Sequence, residues 1–253
     1  MKRYVILLVA ISFLAPRQAT SVTPTILNGD FEGPFIPQGD DFVPEHWVLS
    51  ESPLEPGEIS ILTSSPDNGP ALPGKNSVEW SRTNSQPKGD GTGIIQQFDP
   101  SIDVSQLTEP LMLSLDVKAI SHNLCGGGWY FSRPEYPVRL DVFFWDQNDA
   151  LKYWSYGWYI WTDSSCPAPP WGFIVPGGAG IVYSEQIPAG VWVSATFDLL
   201  AQLRTLAEPK SIYSVQLVGA GWDFDGAADN IRFAEGPTSI GQSSWGSVKS
   251  LYR

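Results

Sequence analysis

The sequence predicts an all-β protein, a β-sandwich of jelly-roll type, and three observations carry that prediction. Short runs alternate apolar and polar residues with a period of two, as a strand with one buried face must. Turn signals rich in Gly, Pro, Asn and Asp separate these runs at short intervals. The composition, with 24 Gly and 22 Pro in 253 residues, favours strands and turns over helices.

The chain opens MKRYVILLVAISFLAPRQATS. Lys2 and Arg3 precede an apolar run from Tyr4 to Ala15, and small residues follow around Ala19 to Ser21. This is the three-part pattern of a secretory signal peptide over residues 1–20, and the run is short for a membrane span. The expected product is secreted or held at the cell surface. The formal charge is −12, and loss of Lys2, Arg3 and Arg17 with that peptide leaves −15. So acidic a surface repels nucleic-acid backbones and anionic membranes, so neither is an expected partner.

Residues 24–235 hold the strand pattern and are read as one sandwich domain. LMLSLDVKA (111–119) sets Leu111, Leu113, Leu115 and Val117 against Ser114, Asp116 and Lys118. VRLDVFFW (138–145) sets Val138, Leu140, Val142 and Phe144 against Arg139, Asp141, Phe143 and Trp145. VWVSATFDL (191–199), SIYSVQLVG (211–219) and NIRF (230–233) repeat the alternation. SSPDNGP, QPKGDGTG, DQND and VPGGAG are the turns between them. One short helix is predicted in LLAQLRTLA (199–207), with Asp198 as its N-cap and Pro209 beyond its end. The tail 236–253 is Gly/Ser-rich and ends in a compact segment with Trp245, Leu251 and Tyr252. It reads either as a flexible end or as a sorting or anchoring motif that engages a protein partner.

LKYWSYGWYIW (151–161) is the densest aromatic stretch, with Trp154, Tyr156 and Trp158 on one face and Tyr153, Tyr159 and Trp161 on the other. Pyranose rings stack their C–H faces on indole and phenol rings while their hydroxyls take hydrogen bonds. Same-face residues on a strand lie about 7 Å apart, comparable to one sugar unit. The row Trp154, Tyr156, Trp158 is therefore the expected sugar platform, extended by Trp129, Tyr130 and Trp171, with Tyr159 and Trp161 pointing inward. The competing reading is that these rings are core, since aromatics favour strands and bury large areas. Gly157 leaves a gap in the second row that a neighbouring ring could enter.

Cys125 and Cys166 are the only cysteines. In an exported chain an even pair reads first as a disulfide, the alternative being two free thiols. It would close a loop of about 40 residues and stabilise by about 4 kcal/mol. His46 and His122 with no CxxC spacing give no basis for zinc.

ILNGDFEGPF (26–35) with PEHW (44–47) resembles the first strand of the galactose-binding-like jelly rolls, a superfamily of carbohydrate-binding modules. GWDFDGAADNIRF (221–233) resembles their last strand, and GKNSVEWSR (74–82) and IIQQFDPSIDV (94–104) are similar to strands between. The stretch from Cys125 to Phe173 departs from them, being longer and holding six of the eleven Trp. The resemblance implies that the first and last strands pair, which would make Glu32 and Asp229 neighbours. It also implies a structural Ca²⁺ held there by these carboxylates and backbone carbonyls, with Asp30 as a further candidate. Hard cations take several oxygen ligands, and one ion would staple strands distant in sequence.

No catalytic residues are assigned. The sequence contains neither the E-x-D-x-x-E of a β-sandwich glucanase nor a G-x-S-x-G elbow. The expected function is that of an exported, non-catalytic carbohydrate-binding-like module whose partner is a polysaccharide or glycoconjugate. The alternatives are a surface or matrix protein-interaction domain and a divergent polysaccharide hydrolase.

Overall fold

A computed structural model describes residues 24–235, apart from 71–73, 85–90, 108, 124–127, 131–132, 161–171 and 176, with backbone alone at 128–130, 133–134 and 235. In chain order the first strands are β1 (Phe35–Gln38), β2 (Asp41–Pro44), β3 (Val48–Glu51), β4 (Ile59–Ser65), β5 (Ser77–Thr83), β6 (Gly91–Asp103) and β7 (Leu111–His122). Next come β8 (Gly128–Tyr130), β9 (Arg133–Glu135), β10 (Val138–Asp146), β11 (Leu151–Tyr159), β12 (Phe173–Ile174) and β13 (Gly180–Gln186). The chain then forms β14 (Val193–Asp198), α1 (Leu199–Arg204), β15 (Pro209–Ala220) and β16 (Phe224–Glu235).

Two sheets stack as a β-sandwich. One has seven strands in the order β12-β13-β11-β10-β15-β6-β3, and the other five in the order β14-β7-β16-β5-β4. Every neighbouring pair in them is antiparallel except β11 and β13, which run parallel. The alternating runs fix which face is inside. Leu111, Leu113, Leu115 and Val117 of β7 and Val138, Leu140, Val142 and Phe144 of β10 are all buried. Trp80 of β5, Ile94 of β6, Phe197 of β14 and Phe224 of β16 complete the same core. α1 forms where the sequence predicts it. Asp198 caps it by accepting the Ala201 N–H at 3.1 Å, and Leu199, Leu200 and Leu203 are buried. No helix among the described residues is long and apolar enough to cross a membrane.

The first predicted strand is corrected. Residues 27–31 form a turn, with Asn28 and Phe31 at positive φ, and the first strand begins only at Phe35. Left-handed backbone at two non-glycine positions cannot continue a β ladder. The segment is instead tied down by single bonds: Ile231 N–H donates to Gly29 O at 2.8 Å, and the Trp47 indole donates to Leu27 O at 3.1 Å. It lies against the last strand without pairing as one.

Candidate functional site

The β10–β11 hairpin decides the aromatic question. Asp146 N–H donates to Ala150 O across the DQND turn, and Trp145 stands opposite Leu151. From there Val142 faces Trp154, Leu140 faces Tyr156 and Val138 faces Trp158. Directly opposed residues share a face, so the Trp154 row follows the Val138–Phe144 row into the core. Trp154 and Trp158 are 0% exposed and Tyr156 4%. These rings surround Phe197, with centroids at 5.1 Å for Trp154 and 4.8 Å for Tyr156. The expected platform of Trp154, Tyr156 and Trp158 is thus overturned: rings enclosed between two sheets cannot stack on a glycan. Burial, and then the nearby Glu185 carboxylate, push the Tyr156 phenol upward, and burial pushes Glu185 upward too.

The opposite row lies on the outward face of the seven-stranded sheet, beside Arg139, Asp141, Phe143 and Trp145 of β10. This face divides into three zones. At its centre Arg139 grips Asp141 with Nε and Nη2 at 2.9 Å each, and Ser155 Oγ donates to the same carboxylate at 2.5 Å. Across β15 and β6, Gln216 donates to Ser50 Oγ at 2.7 Å. Towards the hairpin turn the face becomes aromatic. Phe143 and Tyr153 lie 5.9 Å apart, and Trp145 and Tyr213 lie 6.2 Å apart edge to face. All four rings are half-buried. Tyr213 occupies the extra position of a register shift in β15, and such bulges re-aim a side chain.

The third zone, over β11 and β13, is closed by a small second core of Tyr136, Tyr159, Val175 and Val182. Tyr136 lies on Gly157, where a Cβ would come 2.2 Å from its Cδ2, so the ring occupies the gap expected there. Burial pushes the Tyr136 phenol up to about 12. Tyr159 is buried as expected, but in this outer cluster and not in the main core. Its parity with Phe143 and Asp141 requires that.

Trp129 and Tyr130 have backbone in β8, which pairs with β9 in a separate two-stranded ribbon, and their side chains lie outside the described set. Trp171, Trp161, Cys125, Cys166, residues 1–20 and the tail 236–253 lie outside the described residues.

Glu32 and Asp229 both clip the loop before β5. Glu32 Oε1 accepts the N–H groups of Lys75 and of Asn76, the latter at 2.9 Å, and Asp229 Oδ2 accepts that of Gly69 at 3.0 Å. Asp116 stands opposite Asp229 in the β7–β16 register, and both are buried. Burial raises the Asp229 carboxyl to about 7, the Gly69 and Asn230 N–H groups oppose the shift, and the Asp116 and Glu32 charges add to it. Asn68 Oδ1 is buried here without a hydrogen-bond partner among the described residues. Asp30 is exposed and bonded only weakly, accepting the Glu32 N–H at 3.4 Å.

Phe143, Trp145, Tyr153 and Tyr213 are the candidate residues that were not selected from the sequence. One signal pointed to Phe143 and Trp145, the row they share with Arg139 and Asp141, while Tyr153 follows from the hairpin register and Tyr213 from the register shift in β15.

No protein-family model matches the sequence, and no curated protein matches it. Solved structures similar to it include carbohydrate-binding modules and also enzymes, among them an exo-β-agarase. The family 11 module of cellulosomal cellulase Lic26A-Cel5E of Clostridium thermocellum is 13% identical, with 87% of this chain and 99% of that one covered and a TM-score of 0.44. A family 11 module from Clostridium thermocellum in complex with a β-1,3-1,4-mixed-linked tetrasaccharide is 13% identical over 85% and 98%, with a TM-score of 0.42. The CBM22-1 xylan-binding domain of Paenibacillus barcinonensis Xyn10C is 10% identical over 83% and 94%, with a TM-score of 0.38. The β-sandwich assignment itself rests on the strand register.

Proposed function

We propose that this chain is an exported, non-catalytic carbohydrate-binding module that takes a glycan on the outward face of its seven-stranded sheet. The observation that carries the reading is the pair of ring contacts, Phe143–Tyr153 and Trp145–Tyr213, half-buried beside a strip of polar side chains. Rings held side by side on a sheet suit the C–H faces of pyranoses. Exposed Gln97 and the half-buried Gln216, Ser50 and Arg139 supply hydrogen-bond donors and acceptors for hydroxyls. Asp141 orients Arg139 through its two-pronged contact, as a bidentate pair does.

Affinity electrophoresis in soluble polysaccharides and pull-down on insoluble ones test the reading. Mixed-linked β-glucan and xylan, the ligands named for two of the similar structures, are the first probes. Binding weakened about tenfold in Trp145→Ala, with a smaller change in stability, is the expected result, and a blank across a broad glycan array sinks the reading. Release of reducing sugar would instead favour a divergent hydrolase.

A structural Ca²⁺ beside Glu32 and Asp229 belongs to the same proposal. Two features support it: the buried Asp229 carboxyl, raised to about 7 where buried Asp116 stands opposite, and the orphaned amide oxygen of Asn68. Among the described residues no three His, Cys, Asp or Glu side chains form a metal-holding group, so the ion would need Asn68 and backbone carbonyls as well. It would neutralise the buried carboxylates and stiffen the loop before β5.

One observation favours the alternative of a protein-interaction domain. Ile36, Phe42, Val48, Ile59 and Ile61 are each about half exposed, in strands β1 to β4. Self-association or partner capture through this side, seen by light scattering, would support it, and a concentration-independent monomer would weaken its oligomeric form.

A further inference from the structure

The turn leading into β13 holds Tyr153 in an unusual way. Gly180 stands beside Tyr153 in the parallel β11–β13 register. A Cβ at Gly180 would lie 2.2 Å from Tyr153 Cζ and 2.4 and 2.5 Å from its Cε2 and Cε1. Three near-equal distances to the distal carbons, with the hydroxyl farther away, place that point over the ring face and not beyond its rim. The phenol ring therefore lies flat on the Gly180 Cα, with its opposite face turned away from the sheet.

The support beneath the ring is fixed from several sides. Tyr153 N–H donates to Ala179 O at 3.0 Å, Val175 N–H to Gly180 O at 2.9 Å, and Lys152 Nζ to Gly178 O at 2.9 Å. Phe143 flanks the ring at an interplanar angle of 43°. The ring plane is thus set by backbone, and the order that a sugar would otherwise impose on binding is already present. Gly180 is not among the glycines at positive φ. Its backbone would accept alanine, so what the position demands is the empty space under the ring.

We propose that Gly180 is a positioning residue for glycan recognition, holding Tyr153 parallel to the sheet so that one ring face meets the sugar. This rests on the outward face being the glycan site. Any side chain at 180 would lift the ring, and a half-buried ring can swing outward without unfolding the domain. Gly157 under Tyr136 is the built-in contrast, because Tyr136 is fully buried and has nowhere to go.

The test combines a ligand-free readout with a double-mutant cycle. In the wild-type chain the Gly180 Hα resonances should be shifted upfield by the ring current of Tyr153, and Tyr153→Ala should abolish the shift. With mixed-linked β-glucan and xylan as probes, Gly180→Ala should weaken binding by about tenfold, close to the loss in Tyr153→Ala. The double variant should bind no worse than Tyr153→Ala alone, and the melting temperature of Gly180→Ala should stay near the wild type. Absence of the ring-current shift overturns the proposal. So does wild-type affinity in Gly180→Ala when Tyr153→Ala is impaired, or losses that simply add. A wild-type chain that binds no glycan, or a Tyr153→Ala variant that binds normally, overturns the underlying functional reading, and this inference falls with it.

Discussion

The two rows of side chains on β11 both carry aromatic rings, three inward and two outward, and have opposite fates. On the inward side Trp154, Tyr156 and Trp158 fill the space against Phe197, and each ring removes on the order of 200 Å² from water. On the outward side Ser155 and Gly157 break the row, Tyr159 joins a small second core, and Tyr153 stays half-buried beside Phe143. Ring count alone does not mark a binding face. What distinguishes the proposed face is rings that stop short of full burial beside polar groups already held in place, here Arg139 by Asp141.

Substitutions on the two rows should separate stability from binding. Trp154→Ala should have the largest effect, about 3–5 kcal/mol of destabilisation by urea denaturation, because the cavity opens in a closed core. A loss under 1 kcal/mol would show that the inward row is not enclosed. Gly157→Ala should cost about 2–3 kcal/mol, since Tyr136 must move from a fully buried position. Near-neutral behaviour there would remove the distinction from Gly180.

Titration contrasts two other buried sites. Burial pushes His122 down to about 4 from an ordinary 6.5, so the unfolded chain takes up the proton first. Its contribution to stability is lost as pH falls through that window, and it is worth on the order of 3 kcal/mol. Asp229 has the opposite sign. With its carboxyl raised to about 7, the folded chain takes the proton first, and stability from this group rises as pH falls from 7 towards 4. In chelator, His122→Asn should therefore reveal a chain that becomes more stable on mild acidification, and denaturation across that range reads it directly. A flat or falling profile would mean that Asp229 does not carry the shift.

On the outward face the effects should be on affinity. Trp145→Ala should weaken glycan binding about tenfold, or about 1.4 kcal/mol, with a smaller change in stability. If stability falls by several kcal/mol instead, that ring belongs with the core. The smallest expected effect is that of added calcium on the wild-type melting temperature, a rise of a few degrees at saturating ion that EDTA reverses. No response to either would remove the ion from the proposal.

Much of the architecture was legible from alternation. The rows of β7 and β10, the helix after Asp198 and the turns between strands follow from local pattern. The fate of the Trp154 row was not legible. β10 declared its inward face through Val138, Leu140, Val142 and Phe144, but a turn confined to DQND would set Val142 opposite Tyr153, whereas the hairpin pairs Trp145 with Leu151 and so sets Val142 opposite Trp154. The first strand was misread because it was carried over from the resemblance of ILNGDFEGPF to other jelly rolls, whereas Asn28 and Phe31 here take left-handed backbone. Tyr213 was not recoverable, because a register shift within β15 cannot be seen in an alternating sequence.

The sequence by itself determined an all-β chain, because period-two burial and Gly/Pro punctuation are local consequences of backbone geometry. It also set the acidic charge and the concentration of rings between 129 and 171. Only the tertiary structure decided which rings are sealed and which remain accessible. That depends on strand pairing and sheet stacking, where residues far apart in sequence, such as Phe197 over Trp154 or Gly180 under Tyr153, determine the space each ring is given.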